Sequence, residues 1–181
     1  PPKYAVTHSL ADSGAPADMK VHLRGNPATL GEAAARGFLA VLSPEQVVPF
    51  KQGSGRPGLA RASASRDNPL TAGVMVNRGW EPHFGRGLVA TPSNFGKLGE
   101  RPSHAELLDH LTGRFMAEGW STKSLIRHIV LSKTYRQTSS ESAVGLARDP
   151  ENRLLWRMNR QPLEAECLRE PRLAGSGGLH D

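Results

Sequence analysis

The segment from residue 77 to residue 87 holds the densest group of side chains that could do chemistry. Its candidate ligand-binding residues are Asn77, Arg78, Trp80, His83 and Arg86. The amide, guanidinium and imidazole groups can hydrogen-bond a polar ligand, and the indole can stack on a sugar ring or another flat group. This spacing therefore indicates a polar and aromatic binding site, with a carbohydrate as one possible ligand.

The same segment also fits an architectural role, which we favour. Arg78 could pair with a carboxylate or with backbone carbonyls, and Trp80 and Phe84 can bury large areas. Gly85 and Gly87 allow backbone angles that are closed to other residues. On this interpretation the segment is a tight structural turn and binds nothing.

Other side chains show no pattern typical of catalysis or of a metal site. His104 and His110 are six positions apart, which is about 240° around a helix, so they cannot chelate one ion together. Cys167 lies at an apolar helical position in LEAECLRE, where a thiol is usually a small buried side chain. No Gly-x-Ser-x-Gly or His-Glu-x-x-His motif occurs. We predict no catalytic residue and no metal ligand, and the chain alone is not expected to be an enzyme.

A single cysteine also rules out covalent haem on this chain, since c-type attachment needs Cys-x-x-Cys-His. We therefore predict no cofactor here. A minor alternative is that His83 or Met75 is an axial ligand to a haem on a neighbouring domain.

Length and charge narrow the class of protein. The 181 residues suffice for one domain with a core. The 23 Lys and Arg against 17 Asp and Glu give +6, but the basic residues are spread along the chain. A nucleic-acid site would need a basic face, so we favour no nucleic-acid partner and keep weak polyanion binding as an alternative. No apolar run approaches the ~18 residues of a membrane helix, so we predict no membrane span.

The N-terminal part is predicted to carry a little β structure. Lys3–His8 and Lys20–Asn26 are typical of short strands that could pair, and the Ala-rich segment Gly31–Leu42 favours a helix. Prolines and glycines from Ser43 to Gly58 indicate a linker. We therefore divide the chain into a β-containing N-terminal segment with linker (1–58) and a helical domain (59–181), together one structural unit of a mainly α fold.

Several helices are predicted after the linker. Leu59–Ser65 is short, and Asn68 before Pro69 predicts a capped helix that Pro82 should stop after Glu81. Two further helices form a hairpin around Gly119 and Trp120. Their predicted caps are Ser103 with Glu106 and Ser121, and their apolar faces are Leu107, Leu108, Leu111, Phe115, Leu125, Ile126, Ile129 and Val130.

The last helix is predicted to start at Asp149-Pro150, by the same cap and proline pattern, with Leu154, Leu155 and Met158 on its apolar face. The Gly/Ser tail from Gly175 to Gly178 is expected to fray.

Four motifs together resemble one family. They are DNPLTAGVMVNRGWEPHFGRGLVATPSNFG, GERPSHAELLDHL, GWSTKSLIRHIVLSKTYRQ and ENRLLWRMNR. In this order they resemble the C-terminal, planctomycete-specific domain of unknown function fifteen-fifty-three, found in large cytochrome-c-like proteins. The chain departs from the family pattern at Ala62, at Glu81-Pro82 and near Pro171.

The resemblance implies a module and not a complete protein. It implies an exported, extracytoplasmic, multidomain polypeptide in which haem c lies on a separate domain and the other domains are the partners. We therefore expect a fragment of a longer protein that is a non-catalytic structural or ligand-binding module. The alternative is part of an enzyme acting on complex carbohydrate, with its site completed elsewhere.

Overall fold

The computed structural model describes residues 9–12, 14–43, 47–162 and 169. Within these residues the fold is mainly α with a small two-stranded sheet near the N-terminus, which confirms the predicted fold class. The chain separates into two compact units, Pro1–Ala72 and Gly73–Asp181. The division into 1–58 and 59–181 as parts of one structural unit stays a prediction.

The sheet of the first unit consists of β1 (Met19–His22) and β2 (Leu30–Ala34), which pair antiparallel. A short 3-10 turn, Leu23–Gly25, reverses the chain between them, with Arg24 and Gly25 at positive φ. The strand predicted at Lys3–His8 lies outside the described residues.

The helix predicted over Gly31–Leu42 is wrong. Residues 31–34 belong to β2, which pairs with β1, and only Ala40–Leu42 forms a short 3-10 helix. Helix propensity is a weak preference, and here the hydrogen bonds of the β ladder override it. The end of β2 is fixed further by Arg36, whose backbone N–H and Nε both donate to Asp18 Oδ1 (3.2 and 2.8 Å).

The first unit also holds α1 (Arg56–Ser63), which confirms the short helix predicted near residue 59. It begins inside the predicted linker, because Gly55 adopts φ 88° at its N-cap and Pro57 suits its first turn. Asn68 is buried and links the end of α1 to the turn that precedes the next helix: its side-chain amide donates to Ser63 O (2.9 Å) and accepts from Leu70 N (3.0 Å).

The helix α2 (Thr71–Phe84) runs past the predicted stop at Pro82. Pro82 and Arg78 both lie on the exposed face, where water can satisfy the carbonyl that the proline leaves without a donor. The helix ends instead at Gly85, which has φ 76° and donates from its N–H to Glu81 O at 2.7 Å.

The helices α3 (Ala105–Ala117) and α4 (Thr122–Leu131) form the predicted hairpin. Gly119 and Trp120 both take positive φ (72° and 61°) in the connection. Ser121 caps α4 as predicted, since its Oγ accepts from Ser124 N at 3.2 Å.

Two details of the hairpin differ from the sequence prediction. The N-cap of α3 is His104, so the capping box of Ser103 and Glu106 is wrong; the Ser103 N–H and Oγ instead donate to Leu88 O (2.8 and 3.3 Å). Ile126 is exposed, although its predicted partners on α4 face inward.

The core of the second unit collects side chains from α2, the loop after it, and the hairpin. Its buried apolar members include Val76, Trp80, Phe84, Leu88, Val89, Leu108, Leu111, Phe115, Leu125 and Ile129. Two glycines show how closely α2 approaches its neighbours. A Cβ on Gly79 would lie 3.1 Å from Leu125 Cδ2, and one on Gly73 would lie 3.8 Å from Thr112 Oγ1.

The helix predicted from Asp149-Pro150 is wrong, and the helix α5 (Ala143–Arg148) precedes it instead. The Asp149 carboxylate accepts from the backbone N–H groups of Arg153 (2.9 Å) and Leu154 (2.7 Å), which fixes a turn. Asn152 and Leu155 then take positive φ (53° and 55°), an arrangement that a helix excludes. The tail at Gly175–Gly178 lies outside the described residues.

Candidate functional site

Asn77 is the most deeply buried of the five candidate residues, with 0 % of its surface exposed. Its Oδ1 accepts from Val89 N at 2.8 Å, and its Nδ2 donates to Val89 O at 3.0 Å. The side chain thus pairs with both polar groups of one backbone residue, much as a neighbouring strand would. This amide fastens the loop after α2 onto the helix.

Gly87 makes this fastening possible. A Cβ at that position would lie 2.6 Å from Val89 O and 2.7 Å from Asn77 Nδ2. Any side chain would therefore push apart the two groups that hydrogen-bond each other.

Trp80 is also inside the unit, at 5 % exposure, and it stacks on Phe84 one turn later. Their ring centroids are 4.0 Å apart and the planes differ by 15°. Tyr135 meets Phe84 edge-on at 5.8 Å. Because a neighbouring ring covers the indole, stacking a sugar on Trp80 would require this packing to open.

His83 is half-buried at the C-terminal end of α2. Its Nδ1 lies 2.8 Å from Gly79 O, one turn back along the helix, and its ring meets Tyr135 edge-on at 5.9 Å. The hydrogen bond to a carbonyl requires the proton to be on Nδ1.

The two candidate arginines are the exposed members of the set. Among the described residues Arg78 has no hydrogen-bond or ion-pair partner, so its predicted structural pairing is not seen in this part of the chain. Arg86 lies near two carboxylates, with its NH2 3.5 Å from Glu100 Oε2 and its NH1 3.8 Å from Glu151 Oε2.

A small pocket opens beside Trp80 and Arg86. Glu100, Arg101 and Asn152 also line it, and its volume is ≈ 40 Å³. That volume holds about three water molecules, whereas pockets for small organic ligands reach ~300 Å³ or more. It is a narrow crevice, too small for a sugar ring.

A second asparagine, Asn152, also holds a turn through its side-chain amide, and no sequence pattern predicted this role. Asn152 is 3 % exposed; its Nδ2 donates to Arg157 O (2.7 Å) and Asn159 Oδ1 (2.8 Å), and its Oδ1 accepts from Arg157 N (3.2 Å). Asn159 Nδ2 donates in turn to Phe84 O at 2.8 Å. Two asparagines thus join the 152–159 turn to the end of α2. The signal in the sequence that could have indicated this turn is the asparagine itself, since asparagine tolerates positive φ better than most residues.

A polar cluster away from these residues surrounds Glu118 at the end of α3. Its carboxylate accepts from Ser124 Oγ, from Arg114 Nε (2.6 Å) and from His128 Nε2 (3.3 Å). The Ser124 hydroxyl and then the Arg114 guanidinium lower the pKa of Glu118 from 4.5 to about 2. The cluster links the two helices of the hairpin through one ionised group.

The part of the chain that the structure describes contains no group of three or more His, Cys, Asp and Glu side chains placed to hold a metal ion. Of the five candidates, the structure places Asn77 and Trp80 in the interior, His83 between interior and surface, and Arg78 and Arg86 on the surface. It does not gather all five around one cavity. Their assignment as ligand-binding residues stays a prediction.

A family model, PSD1, described as "Protein of unknown function (DUF1553)", matches residues 55–181. No curated protein and no solved structure matches the chain significantly.

Proposed function

The chain belongs to the PSD1 family of proteins of unknown function, and from this membership we propose that it is a non-catalytic structural module of a larger multidomain protein. The observation that carries the proposal is the pairing of the Asn77 amide with both backbone groups of Val89. Three of the five candidate residues, Asn77, Trp80 and His83, are occupied in holding the module together.

The rest of the dense segment supports the same role. Trp80 stacks on Phe84, His83 bonds back onto its own helix, and Gly87 makes room for the amide of Asn77. A site for catalysis needs polar groups that converge on a space where a substrate fits, and the pocket beside Trp80 has room only for water. Packing is therefore a better account of this segment than a reaction.

The wider setting comes from the resemblance described above. We propose that the module belongs to an exported, extracytoplasmic, cytochrome-c-like polypeptide whose other domains are its partners. Haem c would be bound by a separate domain, because the single cysteine of this chain does not fit the two-cysteine attachment. Within the described residues, no helix combines the length and apolar character that crossing a bilayer requires.

One experiment tests the structural role at the residues that suggested it. Trp80→Ala opens a cavity next to Phe84, so we expect a loss of about 3–5 kcal/mol in the free energy of unfolding. Arg78→Ala, two residues away on the exposed face, should change it by less than about 0.5 kcal/mol. Denaturant unfolding of both variants beside the parent gives the comparison.

A stable Trp80→Ala variant would contradict the structural role, since the indole would then be held in place for another purpose.

The proposed contact with the other domains is tested separately, by hydrogen–deuterium exchange on this chain alone and within the full-length polypeptide. We expect amides on the exposed face of α2 to gain protection in the longer protein. Identical exchange in both would argue against a module that docks on its neighbours.

Arg86 supports a second candidate function, ligand binding. Its side chain lines the small pocket and also a wider cleft. Its two ion pairs are long, so the guanidinium retains capacity for a stronger acceptor.

A further inference from the structure

An open cleft with a volume of ≈ 410 Å³ lies at the end of α2. Phe84, Gly85 and Asn159 form part of its wall, and the charged or polar groups along it are Arg86, Arg157, Arg160, Glu141, Glu151 and Gln161. This volume falls within the range of about 300–1,000 Å³ typical of small-molecule sites. The cleft is thus about ten times larger than the crevice beside Trp80.

Arginines are the most numerous charged groups of the cleft. Three arginines and two glutamates line it, and Glu100, which lines the small pocket, lies 3.5 Å from Arg86. The ion pairs among them are loose, at 3.8 Å from Arg86 to Glu151 and 3.9 Å from Arg160 to Glu141. Arg160 also donates to Ser139 O, at 3.4 Å. Charge-assisted hydrogen bonds normally lie at about 2.7–2.9 Å, so within the described part of the chain neither guanidinium has an acceptor at that distance.

Arg157 is held in a fixed position at the wall of the cleft. The Asn152 side chain bonds both its N–H and its carbonyl, and its guanidinium lies 5.1 Å over the ring of Trp156. Its Nε is buried and has no hydrogen-bond partner within the described part of the chain.

We propose that this cleft binds a small ligand with a single carboxylate flanked by hydroxyl groups, such as a uronate. The planar guanidinium groups of the arginines match the geometry of a carboxylate. Glu141, Glu151 and Gln161 offer acceptors for hydroxyl groups beside it. A polyanion would bring several charges against the two glutamates and is disfavoured. This inference goes beyond the structural role and does not depend on it.

The test uses D-glucuronate as the probe and the chain of 181 residues as the protein, followed by NMR. The indole N–H signal of Trp156, whose ring lies under Arg157, should shift and saturate as the probe is added. The signal of Trp120, in the α3–α4 connection, should stay in place. Glucose, without a carboxylate, and acetate, without hydroxyl groups, should each bind at least about tenfold more weakly.

Variants then assign the effect to the cleft. Arg86→Gln and Arg160→Gln are surface changes, and each should weaken glucuronate binding about tenfold without lowering the melting temperature. Arg157→Lys keeps the charge but removes the planar donor and should weaken binding by a similar factor. Arg78→Gln also removes one positive charge, but it lies outside the cleft and should leave the affinity unchanged.

Three outcomes would overturn the proposal. The first is no saturable shift of Trp156. The second is equal binding of glucose or acetate, which would remove the need for a carboxylate or for hydroxyl groups. The third is an equal loss of affinity in Arg78→Gln, which would show attraction by net charge alone. None of these readouts depends on the unfolding experiments that test the structural role.

Discussion

Asn77 and Val89 are twelve residues apart and are joined by two hydrogen bonds between one side-chain amide and one backbone unit. Neither residue exposes more than 2 % of its surface, so the pairing is sealed from water. The amide satisfies both polar groups of Val89 where no strand or helix does so. The loop 85–90 therefore has a fixed position on α2 without regular secondary structure of its own.

Replacing Asn77 by alanine should be strongly destabilising. The substitution leaves the N–H and the C=O of Val89 buried without partners, each at a cost of about 1–3 kcal/mol. We expect the free energy of unfolding to fall by about 2–5 kcal/mol. Urea denaturation measures it, with Arg78→Ala as the control on the exposed face of the same helix. A fall below about 1 kcal/mol would mean that water reaches Val89 after all.

Gly87→Ala should damage the same contact from the other side. Its Cβ would meet Val89 O at 2.6 Å, so the pair must separate or the loop must shift, at a cost of about 1–3 kcal/mol. Gly113→Ala on α3 is the matched control, since nothing lies within 4 Å of its Cβ. That change should stabilise the helix by up to about 1 kcal/mol. Opposite signs in thermal melts are expected; equal signs would contradict the close approach at Gly87.

The features that the sequence predicted well depend on local patterns. Ser121 caps α4, and Leu108, Leu111 and Phe115 line the buried face of α3, because a cap and a helical stripe are set by residues a few positions apart. The density of residues 77–87 likewise identified a segment of unusual structure. Which side chain of that segment faces inward depends on packing by α3, α4 and the loop at Val89, and no local pattern contains this information.

The wrong prediction at Asp149-Pro150 shows the limit of a local signal. At Asp149-Pro150 the pattern of cap and proline is present, but the Asp149 carboxylate bonds to backbone N–H groups of a turn instead of a helix. Asn152 then bonds across five and seven residues, which a helix would separate. The same local signal is thus compatible with a helix and with a turn. Here the turn is accompanied by a hydrogen bond from Asn159 to the end of α2.

The hairpin should lose stability in acid through Glu118. The pKa of this group is about 2 in the folded chain against 4.5 for the free side chain, mainly through Ser124 and then Arg114. Since the folded value is depressed, the contribution to stability is complete above pH 4.5 and is lost as the pH falls from there towards about 2. Glu118→Gln has no carboxylate to titrate, so its stability lacks this pH dependence. The difference in free energy of unfolding between the variant and the parent should therefore shrink as the pH falls from ~6 to ~3.

Ser124→Ala provides a direct check on the cause. Without the hydroxyl donor, the pKa of Glu118 should rise towards 4.5, which carboxyl chemical shifts can follow during an acid titration. A pKa that is already near 4.5 in the parent chain, or one that Ser124→Ala leaves unchanged, would contradict the arrangement of this cluster.

Phe115→Ala should be among the most destabilising single changes in the hairpin. The ring is 4 % exposed in the buried stripe of α3, and the ring of Trp120 meets it edge-on at 5.4 Å. Truncation removes the burial of the ring and leaves a cavity between the two helices, so we expect a loss of about 3–5 kcal/mol in chemical denaturation. Leu98→Ala is the control, because that side chain is 93 % exposed and its removal should cost less than about 0.5 kcal/mol. The fluorescence of Trp120 should also report a more polar surrounding in Phe115→Ala. A loss below about 1 kcal/mol would show that α3 and α4 do not depend on this contact, and the packing of the hairpin would have to be assigned differently.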